Sequence, residues 1–172
     1  FNSVLDNSGT RQVRIVVAGH GAPPLYLAQA LRLRYGDVVS CVFLPSDSIK
    51  SMRKSESGFE LHPIELLSRK LHDPSMKIDC DLLLSFNSLI VFSDLVVTSP
   101  RLGALNFHGG KLPEYAGIHV HQHMILNTER YGAATIHWMT PRIDAGDIVF
   151  EKLIDIVPRE TGFSLLSKII DA

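Results

Sequence analysis

Residues 13–35, VRIVVAGHGAPPLYLAQALRLRY, decide the fold because they contain a strand, a glycine turn and a helix in succession. Val13–Ala18 is largely β-branched, which is typical of a strand buried on both faces of a parallel sheet. Gly19-His20-Gly21 forms the turn, and the apolar residues of Leu25–Tyr35 recur at helical spacing. This order predicts a βα unit, the repeating element of α/β proteins.

The rest of the chain continues the alternation of strands and helices. Further strands are predicted at Val38–Phe43, Asp81–Ser85, Leu105–His108, Ala133–Met139 and Ile148–Ile156. Helices are predicted at Pro63–Leu71, His119–Asn127 and Gly162–Ala172, and Phe86–Ser93 is expected to be irregular. The pattern predicts one α/β domain over residues 1–172, a doubly wound, mostly parallel sheet with helices on both faces.

Composition indicates the size of the hydrophobic core and argues against nucleic-acid and membrane binding. The 172 residues are 45% hydrophobic, enough for one substantial core, and the net charge of -1 creates no field that attracts nucleic acid or an anionic membrane. Cys41 and Cys80 are too few for a disulfide framework, which favours a reducing cytoplasm. Residues 1–11 lack an apolar run, so we expect an extended or disordered lead and no membrane anchor. The helical pattern that continues to Ala172 suggests a fragment of a longer protein.

Three chemically complementary residues lie between Leu105 and Val149. Asn106 and His108 are two residues apart in a predicted strand, so their side chains point to the same face. Asp144 lies in a later loop, from which its carboxylate can orient the imidazole and favour its protonated form. Such a set suits acyl transfer to an amine, because the amide and imidazole stabilise the oxyanion while the carboxylate helps to remove the amine proton, directly or through water.

Three sequence blocks around these residues resemble the folate-dependent formyltransferases. The blocks are Asn106-Phe107-His108, Leu112-Pro113-Glu114-Tyr115-Ala116-Gly117 and Asp144-Ala145-Gly146-Asp147-Ile148. The resemblance is strongest over Leu105–Ile148 and looser elsewhere. It implies a Rossmann-like fold and an enzyme of one-carbon metabolism that transfers the formyl group of 10-formyltetrahydrofolate without a metal ion.

The resemblance also implies roles for individual residues. It makes Asn106, His108 and Asp144 the catalytic residues. The pterin ring of the folate is expected against the loop after the preceding strand, at Phe86, Asn87, Ser88, Leu89 and Ile90. Acceptor binding is expected at the glycine turn and beside the catalytic histidine, at Gly19, His20, Gly21, Lys111 and Tyr115. The turn amides, at a helix N-terminus, are candidates for holding an anionic part of the acceptor.

The sequence defines the acceptor amine less well. The family commonly has His-x-Ser-Leu-Leu-Pro, whereas this chain has His108-Gly109-Gly110-Lys111-Leu112-Pro113, and Ala116 stands where many relatives carry arginine. We expect a small-molecule acceptor, an amino sugar or a nucleotide-linked amino sugar. Methionyl-tRNA and the substrate of a peptide synthetase are alternatives. The near-neutral charge does not support tRNA, although an additional C-terminal domain could supply a basic surface.

Other functions stay open at this point. The same three residues would serve a formyltetrahydrofolate hydrolase, and a non-catalytic folate- or nucleotide-binding module is a further alternative. His119, His121 and His123 alternate along the chain, which raises a metal-dependent hydrolase as another. The glycine turn lacks the third glycine of a dinucleotide fingerprint, so that function is rejected. One of His137 and Trp138, on opposite faces of a predicted strand, is expected to approach the cleft.

Overall fold

The computed structural model describes residues 12–52, 57–71 and 78–172, so the predicted lead at residues 1–11 lies outside the described residues. Seven strands form one sheet in this part of the chain: β1 (Ile15–Gly19), β2 (Val39–Leu44), β3 (Leu61–Pro63), β4 (Leu82–Phe86), β5 (Gly103–His108), β6 (Tyr131–Trp138) and β7 (Ile148–Asp155). Their spatial order is β3-β2-β1-β4-β5-β6-β7. The first five strands are parallel, whereas β6 and β7 are antiparallel to their neighbours. The predicted doubly wound, Rossmann-like sheet is confirmed.

Helices cover both faces of the sheet. They are α1 (Pro23–Tyr35), α2 (Ser46–Ser51), α3 (Asp94–Thr98), α4 (Val120–Leu126) and α5 (Gly162–Ile170). On one face of the sheet, α1 packs in a cluster that contains Val17 and Ala28. On the other face, α3 packs in a cluster that contains Leu83 and Val96. All four side chains are fully buried. A third cluster joins α4 and α5 to β6. None of the described helices is long and apolar enough to cross a membrane.

The helix predicted at Pro63–Leu71 is wrong. Two short 3-10 helices, Ile64–Leu67 and Arg69–Leu71, occupy the segment instead. They are separated by Ser68, whose backbone is extended and forms an isolated bridge with Phe92. Tertiary pairing of one residue therefore overrides the amphipathic spacing of the segment. The structure also adds α3, whose first turn is capped by the Ser93 hydroxyl, which accepts a hydrogen bond from Val96 N–H at 3.3 Å.

Gly19 fixes the packing at the point where the strand order reverses. It ends β1 beside Phe86 of β4, and a Cβ built on Gly19 would lie 1.8 Å from the Phe86 carbonyl oxygen. Only glycine permits this approach of the two chains. Open α/β sheets bind ligands at such a reversal, outside the carboxyl ends of the strands. The fold therefore directs the search for a site to the ends of β1, β4 and β5.

Candidate active site

A cavity of about 300 Å³ lies near the carboxyl ends of β4 and β5, next to this reversal. Its polar wall includes Asn106, His108, His137 and Asp144. Its apolar wall includes Ile90, Phe92, Val97 and Met139. A concave, largely apolar cavity with a few convergent polar groups is the usual form of a small-molecule site.

Asn106 and His137 form a cross-strand pair at the base of the polar wall. They lie opposite each other in the antiparallel register of β5 and β6, with Asn106 Nδ2 3.2 Å from His137 Nε2. His137 is only 2% exposed, and its Nδ1 lies 2.9 Å from the carbonyl oxygen of Trp138. Because a carbonyl oxygen only accepts and the Asn106 amide nitrogen only donates, Nδ1 carries a proton and Nε2 accepts from Asn106. His137 thus holds the Asn106 amide in place.

His108 lies on the same face of β5, two residues beyond Asn106. Its Nε2 is 2.5 Å from the carbonyl oxygen of Tyr115, so Nε2 carries a proton and donates. The other ring nitrogen, Nδ1, faces Asp144 Oδ2 at 3.8 Å. Gly110 packs against this arrangement, since a Cβ there would lie 3.1 Å from His108 Nε2 and 2.9 Å from the Tyr115 carbonyl oxygen. The two ring nitrogens of His108 thus have different partners: Nε2 bonds to the Tyr115 carbonyl oxygen, and Nδ1 faces the Asp144 carboxylate.

Asp144 connects the two histidines. Its Oδ1 lies 3.5 Å from His137 Nε2, and its Oδ2 accepts a hydrogen bond from Gly117 N–H at 2.8 Å. Burial alone would raise the pKa of Asp144. The contact with His137, the Gly117 N–H bond and the nearby His108 outweigh burial and lower the pKa below the ordinary 3.8. The side chain is 10% exposed and is ionised at neutral pH.

The structure therefore brings the predicted Asn106, His108 and Asp144 together in one cavity. It resolves the choice between His137 and Trp138 in favour of His137, because Trp138 is 38% exposed and stacks beside Gly103 at the start of β5. Strand alternation could distinguish the faces of these two residues but not identify the face that carries the cavity. That information comes from the register of β6 with β5.

The predicted folate loop divides into two parts. Asn87, Ser88, Leu89 and Ile90 line the cavity, whereas Phe86 is not among its described lining residues. Phe86 stacks on Phe107, with ring centroids 4.1 Å apart, on the face of the sheet opposite Asn106. Its side chain supports the sheet and does not contact the cavity.

The residues predicted to bind the acceptor lie at the margin of this site. Gly19, His20, Gly21, Lys111 and Tyr115 are not among the described lining residues. His20 Nδ1 accepts a hydrogen bond from Leu89 N–H at 3.2 Å, and burial lowers the pKa of His20. Lys111 faces Glu114 at 3.5 Å, and the Tyr115 hydroxyl donates to Glu129 at 2.7 Å.

The start of α1 is a poor anion site. Its first two residues, Pro23 and Pro24, have no N–H, and the N–H groups of Leu25 and Tyr26 are both bonded to the Ala22 carbonyl. Helix N-termini bind anions through free N–H groups. The geometry therefore gives little support to the predicted binding of an acceptor anion at this helix.

The alternating histidines occupy the start of α4. His119 has a left-handed backbone (φ 57°) and precedes the helix, and His121 and His123 lie within it. His119 and His121 line the cavity, and within the described residues no group of three or more His, Cys, Asp or Glu is placed to hold a metal ion. Burial, followed by the neighbouring His119, lowers the pKa of His121, which favours a neutral ring in the cavity wall.

Fold and site together define an α/β group-transfer domain with an Asn, His and Asp centre, and comparison with known proteins identifies its family. The profile of the formyl transferase family matches residues 13–172. The chain belongs to the formyl transferase family, which confirms the resemblance found in the sequence.

Individual relatives extend the comparison. The chain is 30% identical over 128 residues to the bifunctional polymyxin resistance protein ArnA of Wigglesworthia glossinidia brevipalpis, covering 74% of this chain and 19% of that protein. It is similar in fold to phosphoribosylglycinamide formyltransferase of Anaplasma phagocytophilum, with TM-score 0.74 and 21% identity over 94% of this chain and 81% of the other. It is also similar to WlaRD, a sugar 3N-formyl transferase solved in the presence of dTDP and 5-N-formyl-THF, with TM-score 0.72 and 20% identity over 94% and 58% of the two chains. The chain thus spans about a fifth of the length of the ArnA relative.

Proposed function

We propose that this chain transfers a formyl group from 10-formyltetrahydrofolate to the amine of an amino sugar or nucleotide-linked amino sugar. The observation that carries the proposal is the assembly of Asn106, His108 and Asp144 in one cavity. The donor supplies an activated formyl group, and the acceptor amine supplies the nucleophile. The protein's contribution is to bind both molecules, stabilise charge and remove a proton.

Asn106 and His108 stabilise the negative charge that develops on the formyl oxygen. Asn106 Nδ2 has two hydrogens, of which one is directed to His137, so the second is free for the formyl oxygen. Nε2 of His108 is held by Tyr115, and a second proton on Nδ1 would give the ring a positive charge beside Asp144. Donors fixed before the reaction avoid reorganisation at the moment when charge develops.

Asp144 acts mainly through its fixed negative charge. Because its pKa is lowered, the carboxylate is a weak base. It favours the positive charge that the attacking amine acquires, and it helps the amine proton to move, directly or through water, to N10 of the donor as the formyl C–N10 bond breaks and tetrahydrofolate leaves. The distance of 3.8 Å to His108 Nδ1 exceeds a hydrogen bond, and such contacts commonly tighten when substrate binds.

If the acceptor carries a phosphate, we do not expect that phosphate at the start of α1. The prolines at the start of α1 leave few N–H groups for a phosphate, and one of the structural relatives is named as a sugar formyl transferase. The net charge of -1 gives no support to methionyl-tRNA. A cytoplasmic location and an additional C-terminal domain are further predictions.

Formyl transfer can be tested directly on the full-length protein. Incubation with 10-formyltetrahydrofolate and a panel of amino sugars, amino acids and aminoacylated tRNA should give tetrahydrofolate and one formylated amine, identified by its mass. Asp144→Asn should abolish the product, whereas Asp147→Asn, an exposed aspartate three residues away, should not. Formate in place of a formylated amine would establish hydrolysis and contradict the proposal.

A further inference from the structure

Ser85 carries a buried hydroxyl without a partner at the wall of the cavity. The residue is 3% exposed, and no hydrogen-bond partner for its Oγ is found among the described residues. An unpaired buried hydroxyl costs about 1–3 kcal/mol relative to a satisfied one. The unsatisfied hydroxyl therefore needs an explanation, and a bound ligand that provides the missing hydrogen bond is one.

The register of the sheet places Ser85 beside the catalytic groups. Ser85 of β4 is the lateral neighbour of Asn106 of β5, which is itself opposite His137 of β6. Neighbouring strands are about 4.8 Å apart, and residues in register project to the same face. The three residues therefore form a polar row across three strands, and all three line the cavity. Asn106 and His137 bond to each other, which leaves the hydroxyl at the end of the row unused.

The surroundings of Ser85 are otherwise apolar. Leu83, two residues earlier on the same face, is fully buried, as is Ala18 beside it on β1. Phe92 and Val97, which line the same cavity, are 3% and 5% exposed. An apolar wall with one hydroxyl suits a flat heterocycle that carries polar atoms on its edge. Of the two substrates of the proposed reaction, only the folate donor must contain such a ring.

We propose that the Ser85 hydroxyl hydrogen-bonds a polar edge atom of the donor's pterin ring, and so determines donor affinity. The inference rests on the proposed function. Pterin edges contain both amino and carbonyl groups, and a hydroxyl can donate to one or accept from the other. Ser85 is one strand away from Asn106, so this bond also sets the distance from the ring to the catalytic amide. It is a contact to the donor and not to the acceptor amine.

Two variants of the full-length protein test the proposal. Ser85→Ala should weaken binding of tetrahydrofolate, measured by calorimetry, by about three- to tenfold, the loss expected for one net hydrogen bond. It should raise KM for 10-formyltetrahydrofolate by a similar factor and leave KM for the acceptor unchanged. Ser99→Ala is the matched control, because the Ser99 hydroxyl is also buried and unpaired but lies outside the cavity lining. The control should bind tetrahydrofolate as the wild type does.

Thermal unfolding without ligand separates binding from structure. Both variants should unfold at or above the wild-type temperature, since each loses an unsatisfied hydroxyl. Unchanged tetrahydrofolate affinity in Ser85→Ala, in an enzyme that still transfers formyl groups, would overturn the Ser85 inference and leave the proposed function intact. Weaker binding of the formylated donor alone would also overturn it, because the contact would then be to the formyl group. A wild-type protein without formyl transfer would instead refute the proposed function.

Discussion

Replacing Asp144 by asparagine removes one charge from the centre of the site with little change in shape. The carboxylate lies 3.5 Å from His137 Nε2 and 3.8 Å from His108 Nδ1. At 3.8 Å, the carboxylate and a protonated His108 ring interact by about 4 kcal/mol at an effective dielectric constant near 20. If the transition state loses this stabilisation, the rate falls by about 10³-fold. We therefore expect kcat/KM for formyl transfer to fall by about three orders of magnitude.

The assay compares initial rates of tetrahydrofolate release in Asp144→Asn, Asp147→Asn and the wild type. The asparagine can still accept the Gly117 N–H bond, so the far-ultraviolet circular dichroism spectrum should match that of the wild type. Asp147 is exposed in the same loop and serves to control for general effects of charge removal. A rate within tenfold of the wild type in a folded Asp144→Asn protein would refute the electrostatic role of this residue.

Three further predictions follow from the same geometry. His137→Ala should lower kcat about tenfold because Asn106 loses its hydrogen-bond acceptor. His137→Gln, which keeps an acceptor, should recover part of this loss. Equal rates in both variants would contradict the positioning role of His137. Gly19→Ala should lower the free energy of unfolding in urea by about 3 kcal/mol, since its Cβ would overlap the Phe86 carbonyl, and unchanged stability would disprove the close approach. Because the folded pKa of Asp144 is lowered, its ionisation stabilises the protein above pH 3.8, and this contribution is lost as the pH falls through the folded pKa. The stability difference between wild type and Asp144→Asn should therefore shrink below pH 3.8, and a constant difference from pH 2 to 6 would contradict the shift.

The fold was largely predictable because buried parallel strands have a strong sequence pattern. Val13–Ala18 and Asp81–Ser85 are apolar runs that end in a turn, and both form strands within a residue or two of the predicted bounds. The failure at Pro63–Leu71 has a physical cause. The bridge between Ser68 and Phe92 is a contact between distant parts of the chain, and periodicity within one segment contains no information about it.

The grouping of polar residues in the cavity was predictable for a different reason. Asn106 and His108 are two residues apart in one strand, so their common face follows from strand geometry alone. Ser85 and His137 were harder to find because their positions depend on how three strands align. Once the register of β4, β5 and β6 is known, both become neighbours of Asn106. The side-chain direction of Phe86 follows from the same alternation, which puts it on the far face from Ser85.

Tyr115 links the His108 imidazole to the outside of the molecule. Its carbonyl oxygen accepts a hydrogen bond from His108 Nε2–H, while its hydroxyl donates to Glu129 and accepts from Asn127 near the end of α4. One residue is thus anchored at both ends, with its main chain inward and its phenol at the surface. Glu129, an exposed residue outside the cavity lining, is therefore connected to the His108 ring through the two ends of Tyr115.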